Sequence, residues 1–170
     1  MLIQYSDHFT INSHMSLPLP ADQLEQILQS NYVATLGCCL ENKPYVVPIT
    51  YFYDAPQNSL IGYTAEGHKV EIMRQNPQVC VQVSEIENLS HWQSVIVEGR
   101  FEELKGRDSV DAIQALITQL EPMINQEGKQ HVEQIRDMAR ANEANPKVIY
   151  RIHIDSKSGR YEDGDIKLDI

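Results

Sequence analysis

The run QVCVQVSEI at residues 78–86 alternates apolar and polar side chains, and PKVIYRIHID at 146–155 does so over most of its length. A period of two sends successive side chains to opposite faces of an extended strand, so each run predicts a strand with one face in a core and the other toward solvent. Such half-buried strands belong mainly to antiparallel sheets. Residues 31–40 (NYVATLGCCL) and 44–54 (PYVVPITYFYD) are apolar, partly β-branched runs joined by the polar turn ENK, which reads as a hairpin. SLIGYT at 59–64 and WQSVIVEGRFEEL at 92–104 complete a set of six strands, the latter long enough to bend at Gly99. Helical spacing appears elsewhere. Leu24, Ile27 and Leu28 mark a short helix opened by Ala21 and Asp22, and Val110, Ile113, Leu116, Ile117 and Leu120 share one face of a longer one. A further helix is expected over residues 129–142, after Gly128. The resulting expectation is a mainly β, α+β chain: a six-stranded antiparallel barrel, closed so that no edge is exposed, with peripheral helices. The same element order also suits other α+β folds. No repeat or low-complexity segment interrupts it, so residues 1–170 read as a single domain, with the last ten or so residues flexible.

Charge and motif content narrow the function classes. With 14 basic against 24 acidic residues the formal net charge is −10, which argues against a nucleic-acid partner, since such binding is driven by neutralising phosphates. There is no apolar run of about 18 residues and no leader of the secretory type, so the expectation is a soluble, cytoplasmic protein without a membrane role. Cys38, Cys39 and Cys80 lie in apolar runs and read as buried, reduced thiols. The six histidines show no metal-ligand spacing, so no metal site is expected, and no serine lies in a nucleophile elbow. His91 beside Trp92 reads as rim packing or as the lining of a substrate pocket. Most of Tyr32, Tyr45, Tyr51, Tyr53 and Tyr63 should be barrel wall, with Tyr63 the one placed near a site.

Two local features resist a purely structural reading. Pro48 stands inside a predicted strand, where proline cannot donate to a neighbour, so the strand should have an edge, a bulge or a ligand there. The stretch YTAEGHKVEIMRQNP, residues 63–77, gathers a threonine, a glycine, a histidine and a lysine at a helix start near Gly67 or His68. The unpaired N–H groups of such a start favour anions. Thr64, His68 and Lys69 add donors and Gly67 allows close approach, which together make a phosphate cradle. The same spacing also describes a helix merely capped by Thr64 and Glu66, with Lys69 a solvated charge.

Four elements in order, P-Y-V-V-P on a strand, Y-T-x-x-G-x-K before a helix, N-P before the next strand and S-V-x-x-x-G on the one after, make the chain resemble the split-barrel flavin-binding proteins related to pyridoxamine 5'-phosphate oxidase. It is most similar to their short branch that includes nitroimidazole-resistance proteins. The resemblance is close over residues 19–104 and weaker in the last strand. It implies FMN bound at the interface of a homodimer, with Val46, Val47, Pro48 and Ile49 along the flavin ring and Tyr63 and Thr64 beside its phosphate. His68 and Lys69 take the places of an arginine and a lysine that the oxidases direct at that phosphate. His68 is a departure, because imidazole lacks the fixed charge and fork of a guanidinium. Ser94 takes the place of a glutamine that reaches the flavin, with Gln93 beside it, and either residue could come from the partner chain.

The activity implied is that of an FMN-dependent oxidoreductase reducing a small organic acceptor with a nicotinamide donor. The alternative is a flavin- or haem-binding carrier or sensor without turnover. No separate acid or base is required of the protein, because the flavin carries the redox chemistry. The resemblance stops short of the oxidases' own substrate. Their tail carries a tryptophan and then an arginine and histidine set, whereas this chain ends YRIHIDSKSGRYEDGDIKLDI and has its one tryptophan at Trp92. His153 and Arg160 are the nearest candidates for a second phosphate, and neither is well placed by its local pattern, so pyridoxamine 5'-phosphate is not the expected substrate.

Overall fold

The computed structural model describes residues 16–123 and 147–163. The predicted helix at 129–142 lies outside the described residues. The chain runs β1 (Leu17–Pro18), α1 (Ala21–Ser30), β2 (Val33–Leu40), β3 (Lys43–Asp54), β4 (Ser59–Ala65), α2 (His68–Gln75), β5 (Gln78–Ile86), β6 (His91–Leu104), α3 (Gly106–Leu120), a single 3-10 turn (Glu121–Met123) and β7 (Lys147–Asp163). All pairings are antiparallel. The order β7-β4-β3-β2-β5-β6 closes on itself through a β6–β7 ladder, making a ring of six strands, with β1 added beside the far half of β7. The mainly β, six-stranded antiparallel expectation therefore holds, and the two-residue β1 adds a seventh strand.

One predicted boundary moves. The polar run after residue 155, expected to become a flexible tail from about residue 161, continues β7 as far as Asp163. Cross-strand register explains this: Ser156 to Asp163 pair with Glu98 to His91 on β6, so the ladder's hydrogen bonds order a segment whose side chains are mostly polar. The bend expected at Gly99 is a register shift between Glu98 and Gly99. A Cβ at Gly99 would fall 2.2 Å from the His153 carbonyl oxygen, so the shift requires glycine.

Alternation sorts the side chains. Leu36, Val81, Val95, Val97 and Ile152 are wholly buried in the main core, to which α1 contributes Ile27 and Leu28 and α2 contributes Val70, Ile72 and Met73. Each such burial contributes about 1.5–3 kcal/mol. A second cluster forms where α3 lays Ile113, Leu116, Ile117 and Leu120 over Ile61 and Leu104. Val110, predicted on that face, is 62% exposed. The first turn of α3 is solvated almost throughout, and the buried stripe begins only with Ala112.

The cysteines also depart from expectation. Adjacent residues on a strand face opposite ways, so Cys38 is buried, Cys39 is half-buried and Cys80 is exposed. Among the tyrosines, Tyr51 and Tyr53 are core residues, while Tyr32, Tyr45 and Tyr63 are half-buried.

Candidate functional site

Strand β3 changes partner along its length. Lys43 to Thr50 pair with β2, and Tyr51 to Asp54 pair with β4. Among the described residues no strand pairs with the other edge of β3 before Tyr51. Strand β4 diverges in the same place, so that Tyr63, Thr64 and Ala65 pair with β7 alone. Pro48 pairs with Thr35 of β2 and lies in the stretch of β3 whose other edge is open, where a missing N–H costs nothing on the open side, which answers the anomaly seen in the sequence. The barrel is thus split between β3 and β4.

The connection from β4 delivers α2 beside the split. The His68 ring packs edge-on to Tyr45 of β3, with centroids 5.1 Å apart, so the start of α2 and the open edge of β3 adjoin. Gly67 is the N-cap, and no side chain caps the helix. The capping alternative is therefore not realised. The Thr64 hydroxyl donates to the Ala65 carbonyl at 3.1 Å, and both Glu66 oxygens are held by Arg74.

Lys69 is half-buried. Burial pulls its ammonium below the ordinary lysine value and outweighs an opposing influence from Cys38. Among the described residues no carboxylate pairs with it. A desolvated cation without an anion is unfavourable unless something else supplies the negative charge. His68 is exposed and stands 3.6 Å from Glu71.

The remaining predicted positions divide. Val46 and Pro48 point outward, Val46 being 63% exposed, while Ile49 is a core side chain and Val47 is half-buried, so these last two face the split chiefly through backbone. Tyr63 packs against the α3 cluster, and burial raises its phenol, so its side chain leans away from the helix start that its backbone helps to place. Ser94 is not brought to the site within this chain. It pairs with Ser84 on β5 and Arg160 on β7, several strands from the open edge of β3.

His91 and Trp92 line a separate cavity of about 440 Å³ with Glu85, Gln93, Tyr161 and Glu162. There the Trp92 indole donates to Glu162 at 3.2 Å and the Gln93 amide donates to Glu85 at 2.5 Å. Among the described residues, no group of His, Cys, Asp and Glu is arranged to hold a metal ion, and no helix is long and apolar enough to cross a membrane.

Sequence reasoning missed Tyr45 and the Arg74 fork on Glu66. The residues 66 and 74 are eight apart, outside the one-turn spacings at which helix pairs are read. Tyr45 is brought to His68 only by the sheet.

The family described as Pyridoxamine 5'-phosphate oxidase matches residues 20–161. An uncharacterized protein of Rhizobium meliloti is 36% identical over 83 residues, covering 49% of this chain and 54% of its own length, so the chain spans about half of that curated relative. A FAD-binding protein from Mesorhizobium loti shares 31% identity, with a TM-score of 0.66 over 88% of this chain and 98% of that one. A Bacteroides thetaiotaomicron protein assigned to 5-nitroimidazole antibiotic resistance has the same fold at 17% identity, with a TM-score of 0.64 over 86% and 87% of the two chains.

Proposed function

From the premise that this chain belongs to the pyridoxamine 5'-phosphate oxidase family, we propose that it binds a flavin in the split between β3 and β4 and works as a flavin-dependent oxidoreductase. The observation that carries this reading is Lys69, a half-buried ammonium with no carboxylate partner among the described residues, beside an uncapped helix start. A phosphate is the complement of that pair of features. Thr64, His68 and Lys69 would hold it. The open edge of β3, from Val46 to Ile49, offers backbone donors and acceptors to the polar side of a flavin ring, and Tyr45 offers it apolar contact. One phosphate is accounted for, so the flavin proposed is FMN, and the FAD of the Mesorhizobium loti protein makes FAD the comparison to run beside it.

A bound flavin supplies hydride and electron transfer. The protein's share is to hold the phosphate, keep the ring against β3 and limit water at the split. The electron donor proposed is a reduced nicotinamide and the acceptor a small organic molecule with little negative charge. Glu98, Glu102, Asp155 and Asp163 lie along the β6–β7 ladder near His153 and Arg160. His153 is already engaged by Glu102 at 2.6 Å, and Arg160 donates to the Ser16 carbonyl at 2.9 Å, so no free cation pair stands ready there for a second phosphate.

A homodimer completes the proposal. Val33 and Val46 are 53% and 63% exposed and share the outer face of β2, β3 and β5 with Pro44, Cys39 and Cys80. Pairing two such faces covers apolar surface that the chain otherwise leaves to water. It also gives Ser94 a route to a flavin held by the other copy.

The test is spectroscopic and then kinetic. Purified protein should show a flavin absorption band, and NADH or NADPH should bleach it, with an acceptor panel restoring it. Pyridoxamine 5'-phosphate should be turned over no faster than by free FMN. A protein that takes up no flavin contradicts the proposal, a bound flavin that no nicotinamide reduces removes the nicotinamide donor, and steady production of the aldehyde overturns the substrate reading.

A further inference from the structure

We propose that Arg74 keeps the start of α2 open to an anion by holding the Glu66 carboxylate away from it, an inference that rests on the phosphate reading above. Glu66 immediately precedes the N-cap Gly67, a position from which an ionised carboxylate can occupy the unpaired N–H groups of a helix. It does not do so. The two terminal nitrogens of Arg74 fork onto the two Glu66 oxygens, Nη1 to Oε2 at 2.8 Å and Nη2 to Oε1 at 2.7 Å. The remaining donor, Nε, reaches Glu103 Oε2 on β6 at 2.7 Å. The guanidinium is thereby fixed from two sides, and its planar fork is what a lysine could not reproduce.

The consequence for the site is electrostatic. Glu66 and Glu71 are the carboxylates next to the start of α2 in sequence, and each faces a basic side chain, Glu66 with Arg74 and Glu71 with His68. Among the described residues, Lys69 alone in this cluster is left without a carboxylate. If Arg74 were absent, Glu66 would be free to fall back on the helix start, where it would fill the N–H groups and repel a dianion. Arg74 contributes no contact to the ligand in this account. It is a positioning residue whose effect passes through Glu66.

Titration of the full chain, freed of flavin, with FMN and with riboflavin, followed by flavin fluorescence, tests this with three variants. Arg74→Gln should weaken FMN roughly tenfold and leave riboflavin within about twofold. Glu66→Gln with Arg74→Gln should return FMN to within about twofold of the unmodified protein, because the competing charge is gone. Glu66→Gln alone should bind FMN at least as tightly as the unmodified protein. No loss in Arg74→Gln, a loss shared equally by riboflavin, or a loss that the double variant does not recover each overturns the proposal while leaving the phosphate site standing. Should Arg74→Gln fail to fold, Glu66→Gln alone decides, since weakened FMN there would make Glu66 a support and not a competitor. Unmodified protein that holds riboflavin as tightly as FMN overturns the phosphate site and this proposal together, and that result is visible before any variant is made.

Discussion

Lys157 and Lys69 are both partly removed from water, and the fold treats them in opposite ways. Lys157, on β7, donates to Glu25 of α1, to the Tyr53 hydroxyl at 2.9 Å and to Asn58 at 3.0 Å, and stands 5.3 Å from the centre of the Tyr53 ring. Tyr53 in turn donates to Glu25. Burial opposes the charge on Lys157, yet its partners outweigh burial and raise its affinity for the proton. For Glu25, too, burial is outweighed, and the hydrogen bonds from Lys157 and Tyr53 hold the carboxyl below its ordinary value. Lys69 has burial without that compensation, and its ammonium is correspondingly destabilised. The first lysine joins α1, β3 and β7 into one body. The second has no carboxylate partner among the described residues, and in the reading proposed here the difference separates a structural ion pair from a phosphate site.

The largest effect expected from breaking this comparison is on stability. Lys157→Met strands Glu25 and Tyr53 in a partly buried setting, and should cost about 2 kcal/mol, read as a lower denaturant midpoint with unchanged slope. The same substitution at Lys69 should change the stability of the flavin-free chain by less than about 1 kcal/mol, because it removes a desolvated charge and breaks no pair. Equal destabilisation by the two substitutions would erase the distinction.

Alkaline pH separates the two lysines as well. Lys69 has its folded pKa below the unfolded value, so the charged form is penalised in the folded chain and the penalty is relieved as pH rises through the folded pKa. Lys157 has its folded pKa raised, so its contribution is complete below the unfolded value and is lost as pH rises through the folded one. FMN affinity should therefore begin to fall at a lower pH than the one at which the Lys157 cluster loosens, while riboflavin affinity stays level over the first step. Parallel loss of both flavins across that range would point to unfolding in place of Lys69 deprotonation.

The strands were legible in the sequence because alternation is a local property. β5 and the first half of β7 declare themselves by their side chains, and Pro48 pointed to an edge, a bulge or a ligand, of which the unpaired edge is what the sheet shows. The second half of β7 was hidden because its side chains are mostly polar and its order comes from pairing with residues 58 to 72 positions away. The site was legible in part. Of the proposed site, Thr64, His68 and Lys69 fall together on one short stretch, which a reading by spacing picks out. Arg74 and Tyr45 reach the same place through the helix body and the sheet, and Ser94 remains several strands away within one chain. Whether Lys69 was solvated or desolvated could not be read from spacing at all, since burial is decided by what the rest of the chain packs around it.

The most direct test of the account is the affinity of the protein for FMN and for riboflavin, measured by equilibrium titration before and after Lys69→Met. The unmodified protein should prefer FMN, and the substitution should weaken FMN by roughly tenfold, the loss of one charge-assisted contact, while riboflavin binds as before. Equal weakening of both flavins, or no change in either, would contradict it.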